Sequence, residues 1–170
     1  EIKYFIMKYF CINSVKISII PNYVNTKKFR YLKNNKHNNY LFVGRLSEEK
    51  NLFKIFHYMS GSKKKLLIIG NGKLKKKLVV LKKKLNIDVS FIKNIQNDKL
   101  SKIYNKFKFF ILMSKYEGNP KVLLEAMACG CICLVSRSQG ISNIVRNNYN
   151  GFYVKDKSHF DNLTNRIINN

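Results

Sequence analysis

The sequence is short of cysteine, of acidic residues and of long apolar runs. Its four cysteines include Cys129, Cys131 and Cys133, whose spacing differs from the C-x-x-C pairs typical of zinc sites. On a strand this spacing would place all three on one face, and we expect them to be small buried residues in a reducing compartment. No segment is long enough to span a bilayer. The apolar run Tyr4–Cys11 is interrupted by Lys8 and lacks a cleavage pattern, so it does not indicate a signal peptide. A cytoplasmic protein is therefore expected.

Acidic residues are outnumbered by basic ones, with 9 aspartates and glutamates against 33 lysines and arginines, and the formal net charge is +24. Such a charge favours anionic partners, including nucleotides, anionic membranes and nucleic acid. The lysines are scattered among many asparagines and isoleucines, so a solvated lysine-rich surface arising from biased composition is the alternative interpretation. The length of 170 residues fits one domain with a core of ordinary size.

Short apolar runs alternate with helical patterns along the chain. The runs are continuously apolar, as is typical of strands buried on both faces of a parallel sheet. The alternation predicts an α/β fold, a doubly wound parallel sheet of Rossmann-like type with right-handed crossovers. The predicted strands are Val15–Ile20, Tyr40–Val43, Leu66–Ile69, Val89–Ile92, Phe109–Met113, Cys131–Val135 and Phe152–Val154. The predicted helices are Glu48–Met59 after a Ser47 cap, Lys73–Leu85, Asp98–Asn105, Pro120–Cys129, Ile141–Asn147 and Ser158–Ile168.

The predicted helix Lys73–Leu85 has two interpretations. Leu74, Leu78, Leu81 and Leu85 form one stripe, and lysines occupy the remaining surface. This pattern is typical of a surface helix that packs its leucines on a core. A basic helix lying on a membrane surface is the alternative.

Ligands of doubly wound sheets bind beyond the carboxyl ends of the strands, so the loops there are the candidate site. After the second predicted strand, Gly44 permits a sharp exit and Arg45 stands at the strand end. Lys50 falls in the first turn of the next predicted helix, where the helix dipole disfavours a cation. An anion held by Arg45, Lys50 and free N–H groups would resolve that conflict. The alternative is that Glu48 and Glu49 pair with the two cations.

The glycine pair Gly70 and Gly72, which follows the third predicted strand, matches neither common nucleotide motif. A G-x-G-x-x-G fingerprint would need glycine at Lys75, and the P-loop pattern is absent. A tight turn is expected there.

The most informative segment runs from Tyr116 to Gly130 and reads YEGNPKVLLEAMACG. Asn119 is a good N-cap and Pro120 a good first helical residue. The next three backbone N–H groups would then be free to bind a phosphate. They belong to Lys121, Val122 and Leu123.

Two glutamates flank this helix start. Glu125 lies on a helix that is otherwise almost entirely apolar, so it should be buried and should need hydrogen-bond donors, which the vicinal hydroxyls of a ribose would supply. Glu117 stands eight positions earlier, at the carboxyl end of the preceding strand. The two carboxylates could hold the ends of one ligand, with phosphates between them. The alternatives are that Glu117 pairs with a nearby lysine and that Glu125 pairs with a polar group of the core.

The spacing Glu117-x7-Glu125 within this segment resembles the E-x7-E signature of retaining glycosyltransferases with the GT-B fold, of the glycosyltransferase family 4 type. Further segments resemble that family in the expected order. They are Ile19–Phe29 at the start of the family's second domain, Phe42–Leu52 at its Gly-Arg…Lys diphosphate site, Leu66–Gly72, and Gly140–Val154. The resemblance implies the C-terminal, donor-binding half of a GT-B architecture at residues 15–170, with residues 1–14 a linker or a remnant of the preceding domain.

The resemblance also implies residue roles. Arg45 and Lys50 would hold the donor diphosphate and stabilise the charge of the leaving nucleotide. Glu117 would contact the donor sugar, Glu125 the ribose, and the region around Lys93 would border the base. Further donor contacts would come from Gly44, Gly118, Asn119, Pro120, Lys121, Val122 and Leu123. No metal and no cofactor are expected, because the two cations and the helix start can neutralise the diphosphate.

The implied activity is transfer of a hexose or related sugar from a nucleoside diphosphate to a glycan or lipid-linked acceptor, with retention, as in polysaccharide biosynthesis. Peripheral contact with an anionic membrane is a further expectation. The alternatives are a non-catalytic nucleotide-sugar-binding module and a basic nucleic-acid-binding protein. For the latter, neither a helix-turn-helix nor aromatic–basic interleaving is evident, so no specific nucleic acid partner is expected.

Two departures from the family pattern stand out. The family often has Asn-Gly-Val-Asp where this chain has the segment Asn22–Asn25, a change that we expect to touch no donor contact. The chain also lacks the family's acceptor-binding N-terminal domain. We therefore expect the chain alone to bind a nucleotide sugar weakly and not to transfer the sugar efficiently.

Overall fold

The computed structural model describes residues 2–33 and 35–169. The strands are β1 (His37–Val43), β2 (Leu66–Ile69), β3 (Val89–Ile92), β4 (Phe107–Leu112), β5 (Ile132–Val135) and β6 (Phe152–Tyr153). The helices are α1 (Ile2–Phe10), α2 (Leu52–Met59), α3 (Lys75–Lys84), α4 (Asn97–Tyr104), α5 (Lys121–Ala128), α6 (Gln139–Ser142) and α7 (Lys157–Asn169). Short 3-10 turns lie at Ser14–Lys16 and Glu48–Lys50. Within these ranges, no helix combines the length and apolarity needed to cross a bilayer.

The six strands form one parallel sheet in the order β3-β2-β1-β4-β5-β6. The first strand, β1, lies in the middle of the sheet, and β2 and β3 are added on one side of it. The chain then returns to add β4, β5 and β6 on the other side of β1. The order therefore reverses between β1 and β4, and in doubly wound sheets the ligand-binding crevice lies at the carboxyl ends of the two strands where the order reverses. The predicted doubly wound, Rossmann-like sheet is confirmed.

The core fills both faces of the central strands. Leu41, Phe42, Phe109 and Phe110 have no exposed surface, which explains why these strands read as continuous apolar runs. Aromatic rings then attach the helices to the sheet: Tyr40 stacks on Phe109, and Phe160 of α7 lies between Tyr40 and Tyr58 of α2, with ring centroids 5.2 to 5.3 Å apart. Each such pair contributes about 0.5–1.5 kcal/mol beyond the area it buries.

The predicted strand Val15–Ile20 is wrong. Ser14–Lys16 forms a 3-10 turn whose start is fixed by Asn13, because Oδ1 of Asn13 accepts a hydrogen bond from the backbone N–H of Val15 at 3.0 Å. The isoleucines Ile19 and Ile20 are mostly exposed. The run has the composition of a strand but no neighbouring strand to pair with, and an unpaired run does not form a strand.

The predicted helix Glu48–Met59 is split in two. A 3-10 turn covers Glu48–Lys50, Asn51 adopts a left-handed conformation with φ of 52°, and α2 begins only at Leu52. The expected cap by Ser47 is wrong, because the Ser47 hydroxyl donates to the Glu49 carboxylate instead. Lys50 therefore precedes the helix and does not lie in its first turn.

The predicted helix Ile141–Asn147 is also wrong, because the helix there is α6 and ends at Ser142. An asparagine-rich turn follows, in which Asn150 Oδ1 accepts from the Arg146 N–H at 2.7 Å and Asn148 has φ of 62°. Asparagine side chains that bond nearby backbone groups compete with helix. The remaining predicted elements are present, with bounds shifted by a few residues.

The three clustered cysteines are buried and free, as expected, but they do not share one strand face. Cys129 ends α5, Gly130 turns the chain with φ of 68°, and only Cys133 lies within β5. Burial raises the pKa of Cys131 to about 12 and raises the pKa values of Cys129 and Cys133 as well. All three thiols therefore stay neutral and act as packing groups.

Candidate functional site

The loops after β1 and β4 meet at the crevice where the strand order reverses. The first loop carries Arg45 and Lys50, and the second carries Glu117. The two loops are joined directly, since the backbone N–H of Lys115 donates to the carbonyl of Glu49 at 2.8 Å. The fold thus brings residues that are far apart in sequence to one edge of the sheet.

A lysine–glutamate pair lies at the centre of the site. Nζ of Lys50 is 2.7 Å from Oε1 of Glu117, and the two side chains are only 19% and 9% exposed. The hydroxyl of Ser114 donates to the same carboxylate oxygen at 2.6 Å. The alternative in which Glu117 pairs with a lysine is therefore confirmed, and the lysine is itself one of the predicted site residues.

Arg45 and Lys50 form no ion pair with Glu48 or Glu49 among the described residues. Glu49 instead accepts the Ser47 hydroxyl, and this bond lowers the pKa of Glu49. Arg45 is exposed at the crevice. The alternative in which Glu48 and Glu49 pair with the two cations is thus wrong.

A cleft of about 410 Å³ opens between the two loops and the start of α5. It is lined by Val43, Gly44, Arg45, Glu49, Lys50, Glu117, Pro120, Lys121 and Val122. Three of these side chains are cationic and two are anionic, so the cleft has a net positive charge and favours an anionic ligand.

The start of α5 differs by one residue from the prediction. Pro120 occupies the cap position and α5 begins at Lys121, so Asn119 is not the N-cap. The Leu123 N–H is not free, because it donates to the Pro120 carbonyl, three residues earlier, at 3.0 Å. The N–H groups of Lys121 and Val122 have no backbone or side-chain acceptor in the part of the chain described.

Asn119 instead links the site to the N-terminal segment. The side-chain amide of Asn22 donates to the Asn119 carbonyl. Asn22 is a position at which this segment keeps the family's asparagine, so the bond does not involve Tyr23 or Asn25, where the chain departs from the family pattern. That the departure touches no donor contact stays a prediction. Oδ1 of Asn119 is buried and accepts no hydrogen bond from the described residues.

Glu125 is buried, with 4% of its surface exposed. The Tyr104 hydroxyl lies 3.3 Å from its Oε2 and donates to it. Burial raises the pKa of Glu125, although the bond from Tyr104 and the charges of Lys121 and Lys28 act in the opposite direction. The alternative in which Glu125 pairs with a polar group of the core is confirmed, with Tyr104 as its partner.

A second cleft of about 410 Å³ lies on the other side of Glu117. Its lining combines apolar side chains from the N-terminal segment with polar groups from the loops after β4 and β5. The lining residues are Lys3, Ile6, Ile17, Ser18, Ile19, Glu117, Gly118, Gln139, Gly140 and Asn143. Glu117 lines both clefts and stands between them.

Gly140 shows how tightly these loops are packed. A Cβ atom at this position would lie 2.1 Å from the Glu117 carbonyl oxygen and 2.2 Å from that of Gly118. Only glycine allows α6 to approach the backbone of Glu117 so closely.

Lys93 does not line either cleft. It follows β3, which β2 separates from β1, so it lies at the same edge of the sheet but to one side of the other predicted residues. Sequence reasoning missed Ser114, Asn22 and Gly140. Ser114 could have been found from its place at the end of the strand that precedes Glu117.

Comparison with known proteins gives one family. The family model of the glycosyl transferases group 1 matches residues 24–169. An alpha-1,4-N-acetyl-D-galactosaminyltransferase of Campylobacter jejuni is 34% identical over 127 residues, covering 70% of this chain and 34% of that protein. An alpha-1,3-galactosyltransferase of Escherichia coli is 28% identical over 196 residues, covering 99% of this chain and 48% of that protein.

Among solved structures, the lipopolysaccharide outer core galactosyltransferase WaaB matches with a TM-score of 0.69 and 25% identity. The match covers 98% of this chain and 49% of that one. This chain thus spans no more than about half the length of these proteins. The expected resemblance to GT-B glycosyltransferases is confirmed, and we conclude that the chain belongs to the glycosyl transferases group 1 family.

Proposed function

We propose that this chain binds the donor in a glycosyltransferase that moves a sugar from a nucleoside diphosphate to a glycan or lipid-linked acceptor, with retention of configuration. The observation that carries the proposal is the contact between Lys50 and Glu117 in a net cationic cleft beside the start of α5. It joins the residue proposed for the phosphates to the residue proposed for the sugar.

The diphosphate of the donor occupies the first cleft. Arg45, Lys50 and Lys121 line it. The N–H groups of Lys121 and Val122, which have no acceptor among the described residues, can donate to the phosphate oxygens. When the sugar leaves, negative charge builds on the diphosphate, and fixed cations in a partly buried cleft stabilise that charge. Three cations and a helix start suffice for this role, so we propose a mechanism without a metal.

The transferred sugar lies against Glu117, which faces the second cleft. Glu125 contacts the ribose through the carboxylate oxygen that Tyr104 does not hold, and the backbone near Lys93 borders the base. The remaining proposed donor contacts are Gly44, Gly118, Asn119, Pro120, Val122 and Leu123. The contact of Leu123 does not use its N–H group, which is bonded to the Pro120 carbonyl.

The acceptor is proposed from the relatives. The Campylobacter and Escherichia proteins are both named for substrates carried on a diphosphate-linked undecaprenol. We propose a lipid-linked glycan acceptor of the same kind, in polysaccharide biosynthesis on the cytoplasmic face of a membrane.

Contact with that membrane is proposed through α3. Leu78 and the cap residue Leu74 are buried, whereas Val80 is 68% exposed between lysines on the opposite side of the helix. A helix with an outward basic face and an exposed apolar side chain is suited to an anionic lipid surface.

Calorimetric titration tests the donor site. Uridine, guanosine and adenosine diphosphate sugars are titrated into wild type, Lys50→Ala and Glu125→Ala. We expect one of the three nucleotide sugars to bind and both substitutions to lower its affinity. For Lys50→Ala the loss should be roughly tenfold or more, because a charge-assisted contact is lost.

Lys157→Ala is the matched control, because Lys157 forms a 2.8 Å pair with Asp161 outside both clefts. It should bind the donor as wild type does. The site assignment is wrong if no nucleotide sugar binds at millimolar concentration, or if Lys50→Ala and Glu125→Ala bind as tightly as wild type.

A further inference from the structure

Glu117 is held by two donors that use the same oxygen. The Ser114 hydroxyl donates to Oε1 at 2.6 Å, and Nζ of Lys50 lies 2.7 Å from that atom. None of the hydrogen bonds formed by the described residues uses Oε2 of Glu117. One carboxylate oxygen is therefore anchored and the other is left for a ligand.

Ser114 is itself fixed more firmly than Lys50. It is 1% exposed, and its carbonyl accepts the Ser136 hydroxyl at 2.6 Å. The N–H of Ser136 in turn donates to Leu112 at 3.0 Å, which extends the pairing of β4 and β5. The Ser114 hydroxyl is thus fixed at the end of the sheet, whereas the Lys50 ammonium is at the end of a long, flexible side chain.

The two donors respond differently to a bound diphosphate. A phosphate group in the first cleft attracts the Lys50 ammonium away from Glu117, because both anions compete for one cation. The neutral Ser114 hydroxyl has no such competitor within the buried strand end. Its bond to Glu117 can persist while the Lys50 bond is weakened.

We propose that Ser114 is a positioning residue, which keeps Oε2 of Glu117 directed at the transferred sugar once the donor diphosphate has drawn Lys50 away. The inference rests on the proposed function and adds a residue that acts through Glu117. Ser114 touches neither sugar nor phosphate. Its contribution belongs to the sugar part of the donor alone.

The test compares two affinities for each variant: that for the tightest-binding nucleotide sugar of the calorimetric panel and that for its sugar-free diphosphate. Ser114→Ala should lower the affinity for the nucleotide sugar roughly tenfold, the effect of losing a hydrogen bond to a charged group. It should leave the affinity for the diphosphate unchanged. Glu117→Gln should change the same ratio. The double variant should add little to Glu117→Gln, because both substitutions act on one contact.

Matched variants separate positioning from folding. Ser114→Thr keeps the hydroxyl and should restore the ratio. Thr164→Val removes another buried hydroxyl, one that donates to Phe160 at 2.9 Å within α7, and should leave both affinities as in wild type. Ser114→Cys, a near-isosteric weak donor, repeats the test if the alanine variant does not fold.

Three results would overturn the inference. Ser114→Ala could weaken the nucleotide sugar and the diphosphate equally, as a purely structural residue would. Ser114→Ala could leave the ratio of the two affinities unchanged although Glu117→Gln alters it. That result would contradict the role of Ser114 while the proposed donor site still holds. If wild type binds neither ligand, the proposed function fails together with this inference.

Discussion

Lys50 and Glu117 illustrate what single residues reveal and conceal. Both were identified from their residue types and their places after strands, yet their contact spans 67 positions of sequence and depends on how the two loops meet. Glu125 was likewise identified by its place on an apolar helix. Its partner Tyr104 comes from α4, and only packing brings the two together.

Glu125 should make stability depend on pH. Burial raises its pKa, so the folded protein holds the proton more tightly than the unfolded chain does. Stability from the protonated form is complete below the unfolded pKa and is lost as pH rises through the folded pKa. Glu125→Gln keeps an acceptor for Tyr104 without the charge, so we expect it to unfold at higher urea concentration than wild type at pH 7.

The difference should vanish below a pH of about 4, where an ordinary glutamate is protonated. Glu48→Gln is the matched control, because Glu48 is exposed and its substitution makes the same change in net charge. Urea denaturation followed by circular dichroism at both pH values measures the effect. Lower stability of Glu125→Gln at pH 7 would contradict the assignment of burial as the dominant influence.

At the level of elements, helices and strands of the sheet were predictable because burial on both faces leaves a continuous apolar signal. The elements that were missed carry the wrong local signal. Val15–Ile20 has strand composition without a partner strand, and Glu48–Met59 has helical composition broken by the left-handed Asn51. Neither exception can be read from residue type, since the first depends on the sheet and the second on the loop that holds Lys50.

The helix α3 gives the prediction that belongs to this scale. Replacing Lys76, Lys77 and Lys84 by glutamine should reduce binding to vesicles containing phosphatidylglycerol. Each lysine near an anionic surface contributes about 1 kcal/mol, so the loss should be on the order of a hundredfold. Vesicle sedimentation at low salt measures it, with phosphatidylcholine vesicles as the uncharged reference.

The control variant replaces three exposed lysines in and after α4, Lys99, Lys102 and Lys106, and lowers the net charge by the same amount. It should bind the anionic vesicles nearly as wild type does. Equal loss in both variants would mean that the overall charge of +24, and not the face of α3, attracts the membrane.

For the molecule as a whole, the reversal of strand order places the two clefts, whereas strand–helix alternation predicted only that a ligand would bind beyond the carboxyl ends of the strands. Three of the predicted contact residues, Glu117, Glu125 and Leu123, already have partners within the protein, and for both glutamates this was the alternative interpretation of the sequence. Lys50 holds Glu117, Tyr104 holds Glu125 and Pro120 holds Leu123. These pairings arise because buried polar groups find partners within the protein.

The chain spans about half the length of the Escherichia coli relative and about a third of the Campylobacter jejuni relative. This limited coverage leads to a prediction about the activity of the molecule as a whole. We expect the 170-residue chain to bind a nucleotide sugar with weak affinity and not to transfer the sugar to an undecaprenol-linked acceptor at an appreciable rate. Calorimetry and a radiolabelled-sugar transfer assay on the same preparation test both parts. Efficient transfer by this chain alone would contradict it.

The hydrogen bond from Lys115 to Glu49 has a consequence for how the donor is received. It fastens the loop of Lys50 to the loop of Glu117, so the two loops proposed to face the phosphates and the sugar are brought together by folding itself. The ordering entropy of both loops is then lost before the donor arrives, and less of the binding free energy is consumed in arranging them. A donor bound as proposed would therefore meet one preorganised pocket, in which the Lys50 ammonium passes from the Glu117 carboxylate to a phosphate.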